Sequence, residues 1–292
     1  MTTNNDNSTL AAEVAVAAEP IRDRQPKLKE TQIGSLSDFL SAIKEFSSKS
    51  GPTWFRGQSD RKYKLTPGLF RHKDIVSNPD PHVRAQEIES SLVERFRNQS
   101  VPYVGSKFSH EDEWGQLFFM QHYRIPTRLL DWSYSPLVAL HFALFSQDPQ
   151  KRPAEACAVW VLHPEIWNGA ALAHQRAPKR IYGTSSTESQ SYKTSTAYKV
   201  RNADAIGIEG IHNSPRIVAQ QGVFTIFGST TLPLEDQFQS NQYPEEALSV
   251  ITIARDSIEK LRTEIVHAGI VETTIYPDLE GLASRLRREL SF

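Results

Sequence analysis

Cysteine is nearly absent from this chain, because Cys157 is the single one among 292 residues. This scarcity excludes a disulfide framework and a thiolate metal cluster, and it favours a reducing, cytoplasmic compartment. Long apolar runs are also missing: no stretch approaches the roughly eighteen residues that cross a bilayer, and no basic region followed by an apolar run begins the sequence. We therefore predict a cytoplasmic protein that makes no membrane contact.

Charge of one sign is not in excess either. Lysine and arginine number 33 against 34 aspartates and glutamates, which gives a formal net charge of −1. A near-neutral chain argues against a broad nucleic-acid-binding surface but allows a local basic groove. The sequence also has no Gly-rich phosphate loop, no His-Glu-x-x-His, no Gly-x-Ser-x-Gly and no dinucleotide fingerprint. The histidines lack the spacing of a metal-binding pair, so we predict no metal site.

Composition divides the chain into a tail and one domain. Residues 1–30 have no aromatic side chain and little periodicity, which predicts a disordered tail; the alternative is that residues 10–18 form a short helix that docks on a partner. Residues 31–292 are long enough to bury a sizeable core. Within them, residues 168–200 are rich in Ser, Thr, Gln and Ala, which predicts a mobile loop beside a cleft.

Hydrophobic periodicity predicts both helices and strands in this domain. The predicted helices, most with a capping residue or a proline at one end, cover residues 36–46, 81–99, 112–123, 136–145, 258–268 and 279–290. Asp131 or Ser133 is the expected cap of the fourth. One strand is predicted to begin at Trp54. Five others are predicted over residues 156–162, 217–220, 223–227, 248–254 and 272–275. Because helices and strands alternate irregularly, we predict an α+β domain.

Two segments carry most of the polar chemistry. Residues 120–143 place Gln121, His122, Arg128 and Asp131 beside an apolar helix, so packing that helix draws polar groups into a cleft. These groups either pair with one another or bind a ligand. The alternative interpretation of His122 is a supporting residue with satisfied hydrogen bonds, and that of Arg128 is a cap of backbone carbonyls or a partner of Glu113.

The second segment is residues 54–60. Arg56 leaves a predicted strand with a guanidinium that suits phosphate or carboxylate, while Gly57 permits close approach of a neighbour or ligand. Arg56 is therefore a candidate anion-binding residue, and the competing interpretation is a structural ion pair with Asp131. Arg71 is interpreted as a loop residue, and Cys157 as a buried, inert thiol.

Several ordered motifs resemble the FRG domain family, which is named for a Phe-Arg-Gly triplet. In this chain the motifs are Phe55–Gly57, Leu65–Arg71, Gln121–Tyr123, Pro126–Asp131, Gln220–Phe224 and Ile275–Ala283. The resemblance implies one FRG domain over residues 31–292. It also implies an association with bacterial toxins or phage defence.

A more distant similarity links the same segments to ADP-ribosyltransferases of the Arg-Ser-Glu type. It implies a split sheet, NAD as substrate and a macromolecular acceptor that is a protein or a nucleic acid. On this resemblance Arg56 and Gln58 contact the pyrophosphate, Asp131 and Ser133 hold the nicotinamide ribose, and Gln221 faces the anomeric carbon. The remaining implied ligand-binding residues are Gly57, Gln121, His122, Thr127 and Arg128.

Gln221 departs from that pattern, because the superfamily has glutamate there. A glutamine can orient a ribose hydroxyl but carries no negative charge to offset a developing cation. Three alternatives follow: Asp131 supplies the carboxylate, Glu209 reaches the site, or the cleft binds a nucleotide or peptide without turnover. Nuclease chemistry at Asp131, with a divalent metal, is a further alternative.

Overall fold

A mixed sheet flanked by helices forms the core of the molecule. The computed structural model describes residues 26–47, 51–104, 109, 112–146, 154–211, 214–240, 243–290 and 292. The strands of this part are β1 Lys29–Ile33, β2 Trp54–Gln58, β3 Leu129–Ser133, β4 Ala156–Leu162, β5 Ile206–Ile208, β6 Gly222–Ile226 and β7 Leu248–Ala254.

The helices that surround the sheet differ widely in length. They are α1 Leu36–Phe46, α2 Lys73–Val76, α3 Pro81–Gln99, α4 Val101–Val104, α5 Glu113–His122, α6 Pro136–Phe145, α7 Pro164–Ala171, α8 Thr187–Gln190, α9 Pro215–Ala219, α10 Leu234–Ser240, α11 Arg255–His267, α12 Glu272–Ile275 and α13 Leu279–Glu289. Short 3-10 helices cover Leu69–Arg71, Ala173–Gln175, Tyr198–Val200 and Glu245–Ala247. Among the described residues, no helix combines the length and the apolar composition that crossing a bilayer requires.

The sheet opens in its middle. Its strand order is β1-β7-β4-β2-β3-β6-β5, and only β1 and β7 run parallel. β2 pairs with β4 along its whole length, whereas β2 and β3 share the single pair Phe55 and Ser133. The two strands therefore diverge beyond that pair and leave room for a cleft. The prediction of an α+β domain with a mixed sheet flanked by helices is confirmed.

The central strands are buried on both faces. In β4, Cys157, Val159 and Val161 pack with one hydrophobic cluster under α1, α6 and α11. Ala158, Trp160 and Leu162 pack with a second cluster on the opposite face. Two buried faces explain why this strand reads as a continuous apolar run rather than an alternating one. Burial also raises the pKa of the Cys157 thiol to about 12, as expected for an inert cysteine.

Most predicted elements match the structure within two or three residues, but two strands are wrong. Residues 215–219 form helix α9, because the Ser214 hydroxyl accepts a hydrogen bond from the Ile217 amide and Pro215 occupies the first turn. Glu272–Ile275 forms α12, whose Glu272 carboxylate is bound by Arg288 of α13. In both places tertiary contacts and capping override the β-propensity of Ile, Val and Thr.

The cap of α6 also differs from the prediction. Asp131 lies within β3, and Ser133 Oγ accepts from the Ser135 amide, so neither caps the helix. Ser135 does, because its Oγ accepts from the Val138 amide at 3.3 Å. We expect Ser135→Ala to lower the free energy of unfolding by about 1 kcal/mol in urea titrations. Ser41→Ala, at an exposed serine inside α1, is the control, with an effect under about 0.5 kcal/mol; the reverse order of effects would contradict this assignment.

The predicted tail and loop have different outcomes. Of residues 1–30, the first 25, including the alternative helix at 10–18, lie outside the described residues, while Lys29 and Glu30 belong to β1. Residues 168–200 contain no strand but are anchored, since Tyr182 and Tyr192 are completely buried and donate to the carbonyls of Pro178 and Asp204. Their mobility stays a prediction.

Candidate functional site

A cavity of about 400 Å³ lies where β2 and β3 diverge. Residues from both strands, from α5 and α6, and from the α9 region line it. Its charged and amide side chains are Arg56, Gln58, Arg71, Gln121, Asp131, Arg216 and Gln220. Aromatic rings of Tyr63, Phe118, Phe142 and Phe224 form much of the remaining wall. Among the described lining residues, three guanidinium groups therefore face one carboxylate.

Arg56 lies at the centre of the opening. Its Nη1 donates to the carbonyl oxygen of Asp131 at 2.6 Å and lies 3.9 Å from the Asp131 Oδ2 atom. Its Nε is buried and has no hydrogen-bond partner in the described part of the chain. Burial lowers the pKa of Arg56 to about 10, against the effect of Asp131 and together with that of Arg71. The guanidinium is thus charged at neutral pH and incompletely paired.

Asp131 is oriented by a chain of hydrogen bonds that starts at α5. The Leu129 amide donates to Thr127 Oγ1, which donates to Gln121 Oε1 at 2.6 Å. Gln121 Nε2 in turn donates to Asp131 Oδ2 at 2.9 Å. This chain fixes the orientation of the Gln121 amide, while the Asp131 side chain stays 57% exposed. The carboxylate is therefore held in place and remains open to a ligand.

Two further arginines complete the cavity, and the sequence did not single them out as ligand-binding residues. Arg71, at the end of a 3-10 helix, is held through Nε and Nη2 by the Thr66 carbonyl at 2.8 and 2.6 Å. Burial lowers its pKa, and the Asp131 charge opposes that shift. The Arg216 guanidinium lies 4.4 Å from the centre of the Tyr276 ring. Arg71 lies inside the Leu65–Arg71 motif of the family resemblance, so the sequence offered a reason to consider it as a site residue. Arg216 lies outside all of these motifs, and nothing in the sequence pointed to it.

Three predicted site residues have structural roles. A methyl group at Gly57 would lie 1.9 Å from the Ala139 carbonyl oxygen, so this glycine permits the close contact of β2 with α6, and it also lines the cavity. Gln58 lines the cavity, but its Oε1 accepts from Trp160 Nε1 at 2.8 Å. Ser133 Oγ donates to the Gln220 carbonyl at 2.6 Å. These residues shape the cavity wall.

His122 lies in the wall near the α9 end. Its Nδ1 is 3.4 Å from the Ser214 hydroxyl, and its ring meets the edge of Tyr123 at 4.8 Å. Its neighbour Gln121 provides the amide that binds Asp131. The structure therefore places His122 beside the cavity together with Gln121 and Asp131, two of the residues that the sequence grouped with it.

Arg128 is corrected by the structure. Its side chain is only 1% exposed, and it binds Glu89 at 2.6 Å together with the carbonyls of Tyr192 and Phe227. Arg201 approaches the other Glu89 oxygen at 3.0 Å. Arg128 therefore cannot contact a ligand in the cavity, because its guanidinium is buried and bound by Glu89 and by these two carbonyls. Thr127 is likewise fully buried and acts through Gln121.

Gln221 is also misplaced by sequence reasoning. Its backbone has φ of +46°, in the left-handed region at the turn between α9 and β6, and its side chain is exposed. The neighbouring Gln220 lines the cavity instead and donates to the Ile275 carbonyl at 3.2 Å. Glu209, the alternative acid, does not line the cavity and accepts from the Tyr134 hydroxyl at 2.9 Å. Asp131 is the single carboxylate among the described lining residues.

The described residues contain no group of three or more His, Cys, Asp or Glu side chains that could hold a metal ion.

An α+β domain with an arginine-rich cleft at a split in its sheet is the class that fold and site define. Residues 51–152 match the family model described as FRG domain, which confirms the family resemblance over that part of the chain. The matched residues include β2, β3 and α6, which supply Arg56 and Asp131, whereas Arg216 lies beyond them. No curated protein and no solved structure matches the chain at a significant level.

Proposed function

We propose that the cavity binds NAD or a related nucleotide and that the chain is an ADP-ribosyltransferase-like enzyme acting on a macromolecular acceptor. One observation carries the proposal: Arg56, Arg71 and Arg216 surround an open cavity that holds a single oriented carboxylate, Asp131. One guanidinium group can donate two parallel hydrogen bonds to two phosphate oxygens, and the pyrophosphate is the anionic part of a dinucleotide. Among the described lining residues, three guanidinium groups and one carboxylate leave a net positive charge.

The size and walls of the cavity fit such a ligand. Its volume of about 400 Å³ lies within the range of small-molecule sites. The Tyr63 and Phe142 rings offer apolar faces on which a planar heterocycle can stack. A bound nucleotide would then place its phosphates toward the guanidinium groups and its rings along the aromatic wall.

Asp131 is the residue that could assist bond cleavage. In the proposed reaction the bond between the ribose anomeric carbon and nicotinamide breaks, nicotinamide leaves with the electron pair, and an oxygen or nitrogen of the acceptor bonds to that carbon and loses its proton. The positive charge that develops on the ribose is offset by the carboxylate of Asp131. Asp131 thus takes the charge-offsetting role for which the glutamine at 221 has no charge, and Gln220 adds a neutral amide to the same cavity.

A binding module without turnover is the second candidate. It is favoured by one observation: Gln121 and Gln220 present neutral amides in the cavity, and the Arg56 guanidinium is partly engaged by the Asp131 carbonyl. Such a site can recognise a nucleotide while leaving its glycosidic bond intact.

Substitution of Arg56 and Asp131 separates the two candidates. We expect Arg56→Ala to weaken NAD binding about 10- to 100-fold in calorimetric titrations, because it removes charge-assisted hydrogen bonds. Asp131→Asn should leave affinity within about threefold and lower nicotinamide release and label transfer from NAD to lysate macromolecules about 100-fold. Arg61→Ala is the matched control, since Arg61 pairs with Glu30 at 2.9 Å and does not line the cavity.

The outcomes distinguish the proposals clearly. Binding that Arg56→Ala weakens, with neither nicotinamide release nor labelled product, would establish the binding module. Nicotinamide release without a labelled macromolecule would indicate hydrolysis by water. A wild-type chain that does not bind NAD or its parts would refute both candidates.

A further inference from the structure

Helix α13 exposes its apolar side to solvent. Leu279, Leu282, Leu286 and Leu290 follow one another at spacings of three and four residues, so they share one side of the helix. Their exposed fractions are 82%, 42%, 47% and 66%. We call these four residues the leucine stripe. An amphipathic helix ordinarily buries this side against the domain.

The opposite side of α13 makes the contacts with the domain. Gly281 is buried against α12, where an added methyl group would lie 2.0 Å from the Tyr276 carbonyl oxygen. Arg288 binds both Glu272 oxygens, at 2.6 and 3.1 Å. At 100° per residue, Gly281 and Arg288 lie roughly opposite the middle of the leucine stripe. The stripe therefore points directly away from the domain.

We propose that a second copy of this chain covers the leucine stripe, through antiparallel pairing of the two α13 helices about a twofold axis. Charge complementarity favours this occupant. Glu280 and Arg287 are two helical turns apart and lie on the same flank of the stripe. A twofold axis perpendicular to the two helices places equivalent flanks next to each other, with the two chains running in opposite directions. Glu280 thus meets the partner's Arg287, and the contact occurs twice.

Both charges are available for that contact. Arg287 is exposed and has no acidic partner in the described part of the chain. Glu280 meets Arg124 at 3.4 Å, but the two side chains are 63% and 68% exposed, so this pair contributes little and can rearrange. Only an antiparallel arrangement places Glu280 of one chain opposite Arg287 of the other on the same flank, whereas a parallel arrangement would place like charges opposite each other.

The same register interleaves the apolar side chains. When Glu280 lies opposite the partner's Arg287, the partner's Leu286 falls level with residue 281, between Leu279 and Leu282. The partner's Leu282 falls level with residue 285, between Leu282 and Leu286. Each leucine then fills the gap between two others, as in helix pairs that pack side chains into holes. A contact of one short helix per chain is small, so we expect reversible association in the micromolar range.

Sedimentation equilibrium of the full chain from about 1 to about 100 µM tests the proposal. We expect a monomer–dimer equilibrium that Leu282→Glu with Leu286→Glu weakens at least about tenfold. The matched control is Leu40→Glu with Val76→Glu, because these residues are 48% and 73% exposed elsewhere on the surface. The control should leave the equilibrium unchanged, and circular dichroism should show all variants folded.

Charge reversal tests the orientation of the helices. Glu280→Arg and Arg287→Glu should each weaken dimerisation about tenfold, while the two together should restore it to within about threefold, because the double change exchanges the partners of both pairs. Failure of the double reversal to restore the dimer would overturn the antiparallel arrangement. A wild-type monomer at every concentration, a dimer unaffected by the leucine substitutions, or a monomer that binds anionic phospholipid vesicles would overturn the proposal itself.

Discussion

Glu89→Gln should lower the free energy of unfolding by about 3 to 5 kcal/mol, measured by urea denaturation, because it removes the carboxylate that pairs with two buried guanidinium groups. Glu89 binds Arg128 at 2.6 Å and Arg201 at 3.0 Å, and all three side chains are buried. Burial, and next the charge of Arg128, already lower the pKa of Arg201 to about 10. Without the carboxylate, two like charges would face each other away from water.

The loss of stability should be greatest where Glu89, Arg128 and Arg201, which we call the buried triad, connect distant parts of the chain. Arg128 donates to the carbonyls of Tyr192 and Phe227, and Arg201 Nε donates to the Thr196 carbonyl at 2.8 Å. The triad therefore fixes residues 192–201 to β3 and to the turn after β6. We expect hydrogen exchange of residues 168–200 to rise in the Glu89→Gln variant before the rest of the domain unfolds.

Glu259→Gln provides a control with the same distance and a different environment. Glu259 binds Arg262 at 2.6 Å, but its side chain is 81% exposed, so its loss should cost less than about 0.5 kcal/mol. Equal effects of the two substitutions would contradict the role assigned to the buried triad. NAD affinity of the folded Glu89→Gln fraction should stay within about threefold of wild type, because Arg128 does not reach the cavity.

Gly57→Ala should destabilise the domain by at least about 3 kcal/mol or prevent folding, because the added methyl group has no space. It would lie 1.9 Å from the Ala139 carbonyl oxygen and 2.6 Å from the Ala143 amide nitrogen, and both are backbone atoms of α6. Backbone cannot rotate aside as a side chain can. Helix α6 would have to move away from β2, which would also displace Phe142 and the Arg56 strand from the cavity.

Thermal and urea unfolding of purified variants measure this effect. Gly183→Ala is the control, because the nearest atom to its added methyl group is a serine hydroxyl at 4.0 Å. We expect that control to stay within about 0.5 kcal/mol of wild type. A stable Gly57→Ala protein with an altered NAD affinity would instead indicate that this glycine serves approach of the ligand.

Local order along the chain followed closely from the sequence. The apolar segments Ala156–Leu162 and Pro136–Phe145 and the amphipathic segment Pro81–Gln99 have the predicted bounds. Burial on all sides produces a continuous apolar run, and burial on one side produces a periodic one, so both can be identified in the sequence. Segments of four or five residues, α9 and α12, were assigned wrongly. In such short segments a cap or one ion pair outweighs intrinsic propensity.

The candidate site was only partly predictable. Arg56, Gln121, His122 and Asp131 were identified because they interrupt apolar segments, and the structure brings them to one cavity. The sequence predicts Gln221 as the site residue, whereas Gln220 lines the cavity. The positive φ of Gln221 changes the direction of the chain at this turn and so decides which of the two side chains faces inward. Periodicity fails at such a turn, because it assumes regular backbone geometry.

By itself, the sequence determined the mixed helix and strand content, the buried state of Cys157 and the grouping of polar residues around Asp131, since each depends on neighbours along the chain. The tertiary structure alone decided that Arg128 is enclosed by Glu89, that Arg216 joins Arg56 in one cavity, and that the leucine stripe faces outward. Amphipathic spacing fixes which residues share a side of a helix, but only packing against distant elements selects the side that is buried.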